Sequence, residues 1–139
     1  MAVAPFTRRI PKYFNKTITF TGAASLGAVG TVPIATVTRE ILLVYGGVHC
    51  STLLAGATAT LAFGTANNTA GLIALTTATD IDADEFWQDA SPELEISPAI
   101  INQLVTANLI LTVGTADVTA GVLNFYFYWL PLSPTGNMA

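Results

Sequence analysis

Apolar and polar residues alternate with a period of two along most of this 139-residue chain. That period puts successive side chains on opposite faces of a β-strand. Residues 17–21 read TITFT, and residues 32–45 run from Val32 to Tyr45 with many β-branched side chains. The end of that run, 41–45, is apolar at every position, as in a central strand covered on both faces. Residues 48–54, the segments around 61–63, 73–75 and 109–113, and residues 122–130 complete the set. Gly, Asn and Ser separate these segments. The pattern predicts an all-β domain of about eight antiparallel strands, a sandwich or jelly roll.

The chain repeats itself once. Residues 61–71 read LAFGTANNTAG and residues 111–121 read LTVGTADVTAG, identical at seven of eleven positions at an offset of 50. Each copy reads as strand, glycine-bounded loop, strand, which predicts two equivalent β-hairpins. In this reading Ile73 and Leu75 match Leu123 and Phe125 on one buried face. Asp117-Val118 does not suit two consecutive left-handed residues, so the expected connection is a longer loop built on a type I turn. A propeller or solenoid needs three units or more, and only two are present.

Three regions depart from the alternation. Residues 79–95, TDIDADEFWQDASPELE, hold seven of the nine acids and read as a long surface connection with one helical turn. Residues 97–106, SPAIINQLVT, carry a Ser-Pro start that suits a helix, with Ser97 as cap. Residues 1–16 contain Pro5 and Pro11 and interleave Phe6, Ile10, Tyr13 and Phe14 with four cations. They read as an extended basic arm. The expected layout is an arm over 1–16, a β-sandwich over 17–133 and a tail over 134–139.

Charge adds a direction to this layout. Hydrophobic residues are 52% of the chain and charged ones only 10%, against about 25% in ordinary globular domains. Such a surface exposes neutral or apolar patches of the kind that mark contacts. Arg8, Arg9, Lys12, Lys16 and Arg39 are the only basic residues besides His49, and every acid lies from Glu40 onward. The arm therefore suits an acidic partner surface, with Phe6, Arg8, Arg9, Lys12, Tyr13 and Phe14 as its contact residues, or else the chain's own acidic body. A body without Lys or Arg does not suit nucleic acid. Residues 41–63 are uncharged and long enough to span a bilayer. Gly46, Gly47, His49, Ser51, Thr52 and Gly56 interrupt them, and no cation follows. No membrane segment is expected, and the first residues lack the apolar stretch of a secretory signal.

Catalysis has little material. His49 is the only histidine and Cys50 the only cysteine. Neighbours on a strand point to opposite faces, so they do not form a nucleophile–base pair. Cys50 reads as a buried small hydrophobe. Asp80, Asp82 and Asp84 have the one-three-five spacing of a calcium loop, but Glu85 and Ser91 stand where an EF-hand has Gly and Glu. They remain a weak calcium candidate beside the reading of a solvated acidic loop. The carboxylate pairs Asp84/Glu85 and Glu93/Glu95 have no fixed separation for glycoside hydrolysis. GTANNTAG lacks the Gly-Lys-Ser/Thr end of a phosphate loop. No enzyme activity and no cofactor are expected. On the last strand Leu123, Phe125, Phe127 and Trp129 form a core face. Tyr126 and Tyr128 form the other, and suit a half-wet subunit interface.

The phrase VGTADVTAGVLNFYFYWLPLS (113–133), after an acidic FWQDAS loop and a Thr/Gly/Ala-rich β body, resembles small structural proteins of tailed bacteriophage virions. These are capsid decoration or cement proteins and head-fibre or spike bases. The resemblance covers about residues 17–133 and leaves out the basic arm. It implies a β-sandwich or jelly roll, symmetric homo-oligomers, trimers above all, and docking on a major capsid protein or another virion protein at the capsid surface. It carries over no catalytic residue. The alternative expectation is a carbohydrate- or receptor-binding module of a virion fibre or tail, with an exposed Trp87 and tyrosines stacking on sugars.

Overall fold

A computed structural model describes residues 10–96 and 100–139. It is all-β and antiparallel, as the alternation predicts. The strands are β1 (Lys12–Thr19), β2 (Gly30–Ala35), β3 (Val37–Thr38), β4 (Ile41–Ala55), β5 (Thr60–Thr65), β6 (Asn68–Thr77), β7 (Phe86–Trp87), β8 (Ile100–Val105), β9 (Leu109–Gly114), β10 (Ala120–Pro131) and β11 (Asn137–Met138). Eight of the eleven have six residues or more, which matches the expected number. The single helical turn in the acidic region is a 3-10 turn at Ala78–Asp80. Among the described residues no helix is long and apolar enough to cross a membrane.

Two sheets make a sandwich-like body. One runs β1-β10-β4-β7, with β8 also on β4; the other runs β2-β9-β5-β6. Their inner faces meet through Phe63 of β5, whose ring lies 5.1 Å from Phe125 and 5.6 Å from Phe127 of β10. Leu61, Leu109, Leu111, Val113, Leu123 and Trp129 fill the same core. These are the alternate positions of the pattern, so burial follows directly from period two. Gly46 makes room at the centre, since a Cβ there would collide with the Phe127 ring.

The second copy of the repeat is not a hairpin. In the first copy β5 turns straight into β6, with Thr65 paired to Asn68. The connection is two residues, Ala66 and Asn67, shorter than the loop expected, and neither has a positive φ. In the second copy β9 belongs to one sheet and β10 to the other, so residues 115–119 cross between sheets. Val118 is fully buried. Its N–H donates to the Gly27 carbonyl at 2.8 Å, and the Thr119 N–H to Ala55 at 2.8 Å. The Asp117 carboxylate accepts the Val29 N–H at 2.8 Å. Gly27 has φ +118, and a Cβ there would strike the Val118 carbonyl. The crossing loop is thus pinned between two segments distant in sequence, which a repeat of eleven residues does not reveal. The matched strands differ accordingly: Phe125 is buried, but Leu75 is exposed.

Other expectations shift as well. The segments 41–45 and 48–54 are parts of one fifteen-residue strand, β4. Ile100–Val105 is strand rather than helix, paired to β4 from Ile41 to Gly46; the Ser97 cap lies outside the described residues. The arm ends earlier than expected, because Lys12 to Lys16 are already in β1 and pair with Trp129 to Phe125 of β10. The C-terminal residues are no free tail. Asn137–Met138 pairs with Val37–Thr38, Met138 is buried, and Thr36 and Ala139 exchange backbone hydrogen bonds of 2.7 and 3.0 Å.

Candidate interaction face

The outer face of the β1-β10-β4-β8 sheet collects the large side chains that the core leaves out. Antiparallel register aligns Tyr13 with Tyr128, Tyr128 with Tyr45, and Tyr45 with Ile101. This row crosses four strands. A second row joins Leu130, Leu42 and Leu104. Ring centroids are 5.1 Å apart for Tyr13–Tyr128 and 6.3 Å for both Tyr45–Tyr128 and Tyr45–Tyr126. Those spacings are typical of tilted aromatic pairs. The exposures are high: Tyr13 56%, Tyr128 42%, Ile101 47% and Leu104 63%. No Lys, Arg, Asp or Glu takes part in either row.

Local sequence explains this placement. Tyr126 and Tyr128 alternate with Phe125, Phe127 and Trp129 of the core, so parity alone turns them outward. Tyr45 faces out because the ladder is irregular between Tyr128 and Trp129, which shifts the parity of β4. Gly47 lies opposite Tyr126, and a Cβ there would stand 2.9 Å from its hydroxyl. The tyrosine therefore lies down over the sheet. Its hydroxyl is buried without a hydrogen-bond partner. Burial, and then the neighbouring Tyr45, raises its pKa well above the ordinary phenol range. Tyr126 therefore keeps its proton at ordinary pH.

The other predicted residues are placed as follows. Phe6, Arg8 and Arg9 lie outside the described residues. Lys12 and Phe14 sit on the core side of β1: the Lys12 ammonium is 5.1 Å from the centre of the Trp129 ring, and Phe14 stacks on Phe127 at 6.4 Å. Tyr13 points the other way and joins the tyrosine row. Half of the proposed arm contact is thus part of the sheet edge, because β1 pairs eight residues long with β10.

His49 and Cys50 do not face each other. Cys50 is fully buried, and its thiol donates to the Thr52 carbonyl at 3.2 Å. Burial pushes that thiol up to about 11, away from the thiolate form that reacts. His49 lies on the opposite face, with its ring 4.9 Å from Phe86. Asp80, Asp82 and Asp84 are exposed, and among the described residues no three His, Cys, Asp or Glu side chains are grouped to hold a metal ion. Trp87 corrects another expectation. It is fully buried, its indole N–H donates to the Thr76 hydroxyl at 2.9 Å, and it offers no surface to a sugar. Pairing of β7 with Val48 and His49 carries it inside.

Sequence reasoning missed Tyr45, Leu42, Ile101 and Leu104. Tyr45 closes a run that is apolar on both faces, and β8 sits in a segment whose Ser-Pro start suits a helix. Only the cross-strand register brings them beside Tyr128. No protein-family model matches the chain, and comparisons with curated proteins and with solved structures find no similar protein.

Proposed function

We propose that this chain is a structural subunit of a bacteriophage virion, which forms symmetric homo-oligomers, trimers on the resemblance, and decorates or reinforces the capsid surface. The observation that carries the assembly half is the uncharged two-row face of Tyr13, Tyr128, Tyr45, Ile101, Leu130, Leu42 and Leu104. A contiguous apolar patch of this kind marks a contact surface, and a closed symmetric oligomer removes it from water. The capsid half rests on the resemblance of residues 113–133. In this reading the basic residues at the N-terminus, Arg8 and Arg9 with Phe6, reach the major capsid protein or another virion protein.

A protein that binds only the assembled shell stabilises it by mass action. The test is co-sedimentation of the purified chain with capsids of its phage that lack it, together with the shell's melting temperature. The reading expects saturable binding and a raised melting temperature. Absence of binding, from a chain that is also monomeric, overturns it. A second reading, a carbohydrate-binding module of a fibre, retains exposed Tyr13 and Tyr128 as a stacking platform but has lost Trp87. Glycan-array binding by a monomeric chain favours that reading instead.

A further inference from the structure

We infer that copies of this chain associate head to tail, the β1 edge of one against the acidic β7 edge of the next. This rests on the reading above that the chain works by self-assembly. The two edges of the larger sheet carry opposite charge. Lys12 and Lys16 lie on β1, which is the edge strand beside β10. On the far side, residues 80–95 frame β7 and hold Asp80, Asp82, Asp84, Glu85, Asp89, Glu93 and Glu95. Hydrogen bonds from Asp84 N–H to Cys50 and from Cys50 N–H to Glu85 fix this segment along β4.

Three strand spacings, about 14 Å, separate β1 from β7. The screening length at physiological salt is only about 8 Å. The edges therefore cannot neutralise each other within one copy. Lys12 turns to the Trp129 ring and Lys16 donates to the Pro33 carbonyl at 3.1 Å, so neither cation is spent on a carboxylate. Like charges oppose a β1–β1 contact between copies, which disfavours a two-fold pairing there and favours the acidic edge.

Each edge also offers apolar side chains next to its charges. Tyr13, on the opposite face of β1 from Lys12, continues the tyrosine row out to the basic edge. On the acidic edge, Leu94 and Ile96 are 71% and 53% exposed, on either side of Glu95 and beside Glu93. Gln88 is buried there, with its Nε2 donating to the Glu95 carbonyl at 3.3 Å and its Oε1 without a partner. A contact between different patches of the same molecule is heterologous, and when its rotation closes it makes a ring. Such charge pairing sets register and encounter rate more than affinity.

The experiment is sedimentation velocity of the full chain in four forms at about 50 mM and about 500 mM salt. These are the wild type, K12E/K16E, D82K/E93K, and the chain carrying all four substitutions. Asp82 and Glu93 are exposed, and circular dichroism checks each fold. The wild type is expected to associate more weakly at the higher salt. Each double variant should lose association by about tenfold. An equimolar mixture of the two double variants should pair, the intact β1 edge of D82K/E93K against the intact acidic edge of K12E/K16E, whereas the four-fold variant should stay weak, because its β7 edge keeps five acids against two lysines and faces two glutamates on β1. An oligomer indifferent to every charge reversal overturns the edge contact and leaves the tyrosine face standing. A wild type that is monomeric at both salts overturns the edge contact and the self-assembly reading together.

Discussion

Two stretches of nearly the same sequence, 61–71 and 111–121, lead the chain to different places. After the first, β6 stays beside β5 as the edge of its own sheet. After the second, β10 enters the opposite sheet between β1 and β4 and turns Tyr126 and Tyr128 outward. The shared residues give strand and turn in both copies. In the loop the copies differ at Asn67/Asp117 and Asn68/Val118; in the strand before it they differ at Ala62/Thr112 and Phe63/Val113. Asn68 is exposed beside its turn, whereas Val118 is sealed into the core. Val118 is the apolar side chain that anchors the crossing loop in the core. The crossing is what makes the tyrosine face.

The strongest way to break this comparison is to exchange those residues. Val118→Asn places an amide where no water reaches and should cost about 3 kcal/mol. Asn68→Val, at an exposed strand position, should stay within about 0.5 kcal/mol. Chemical denaturation of both variants reads the asymmetry, and equal losses would deny that Val118 anchors the crossing. A smaller effect is expected one residue earlier. Asp117→Ala removes the acceptor of the Val29 N–H and should cost about 1 kcal/mol. Asn67→Ala should change the unfolding midpoint by no more than a few tenths of a kcal/mol.

A pH-dependent effect bears on the β10 sheet. Cys50 pairs with Leu123 of β10, and its thiol is held up at about 11 against an ordinary 9.0. The folded chain keeps a proton that the unfolded chain releases, so stability falls as pH rises between those values. Comparing unfolding midpoints at pH 8 and near pH 11, Cys50→Ala should show a shallower decline than the wild type. Iodoacetamide should modify native Cys50 far more slowly than the denatured thiol. Rapid native alkylation would mean that this sheet opens readily.

Much of the fold was legible because period two depends only on neighbours. The buried faces of β5, β9 and β10 fall on the residues that alternation selects, from Leu61 and Phe63 to Leu123, Phe125, Phe127 and Trp129. What was not legible depends on distant partners. Ile100, Ile101, Leu104 and Val105 have helical spacing, yet pairing with β4 makes them a strand, since sheet context overrides local propensity. Trp87 sits in an acidic run that reads as surface, and its burial comes from β7 docking on β4. Part of the tyrosine face followed the same rule. Tyr126 and Tyr128 were visible from parity, whereas Tyr13, Tyr45 and Ile101 join them only through antiparallel register.

The uncharged tyrosine face is the centre of this account, and mass in solution tests it most directly. Sedimentation equilibrium at micromolar concentration should give the wild type as a closed oligomer. Tyr128→Arg, at an exposed ring, should give a monomer with the wild-type circular dichroism spectrum, an association loss of about 2 kcal/mol or more. A monomeric wild type, or a variant with the wild-type mass, would contradict the account.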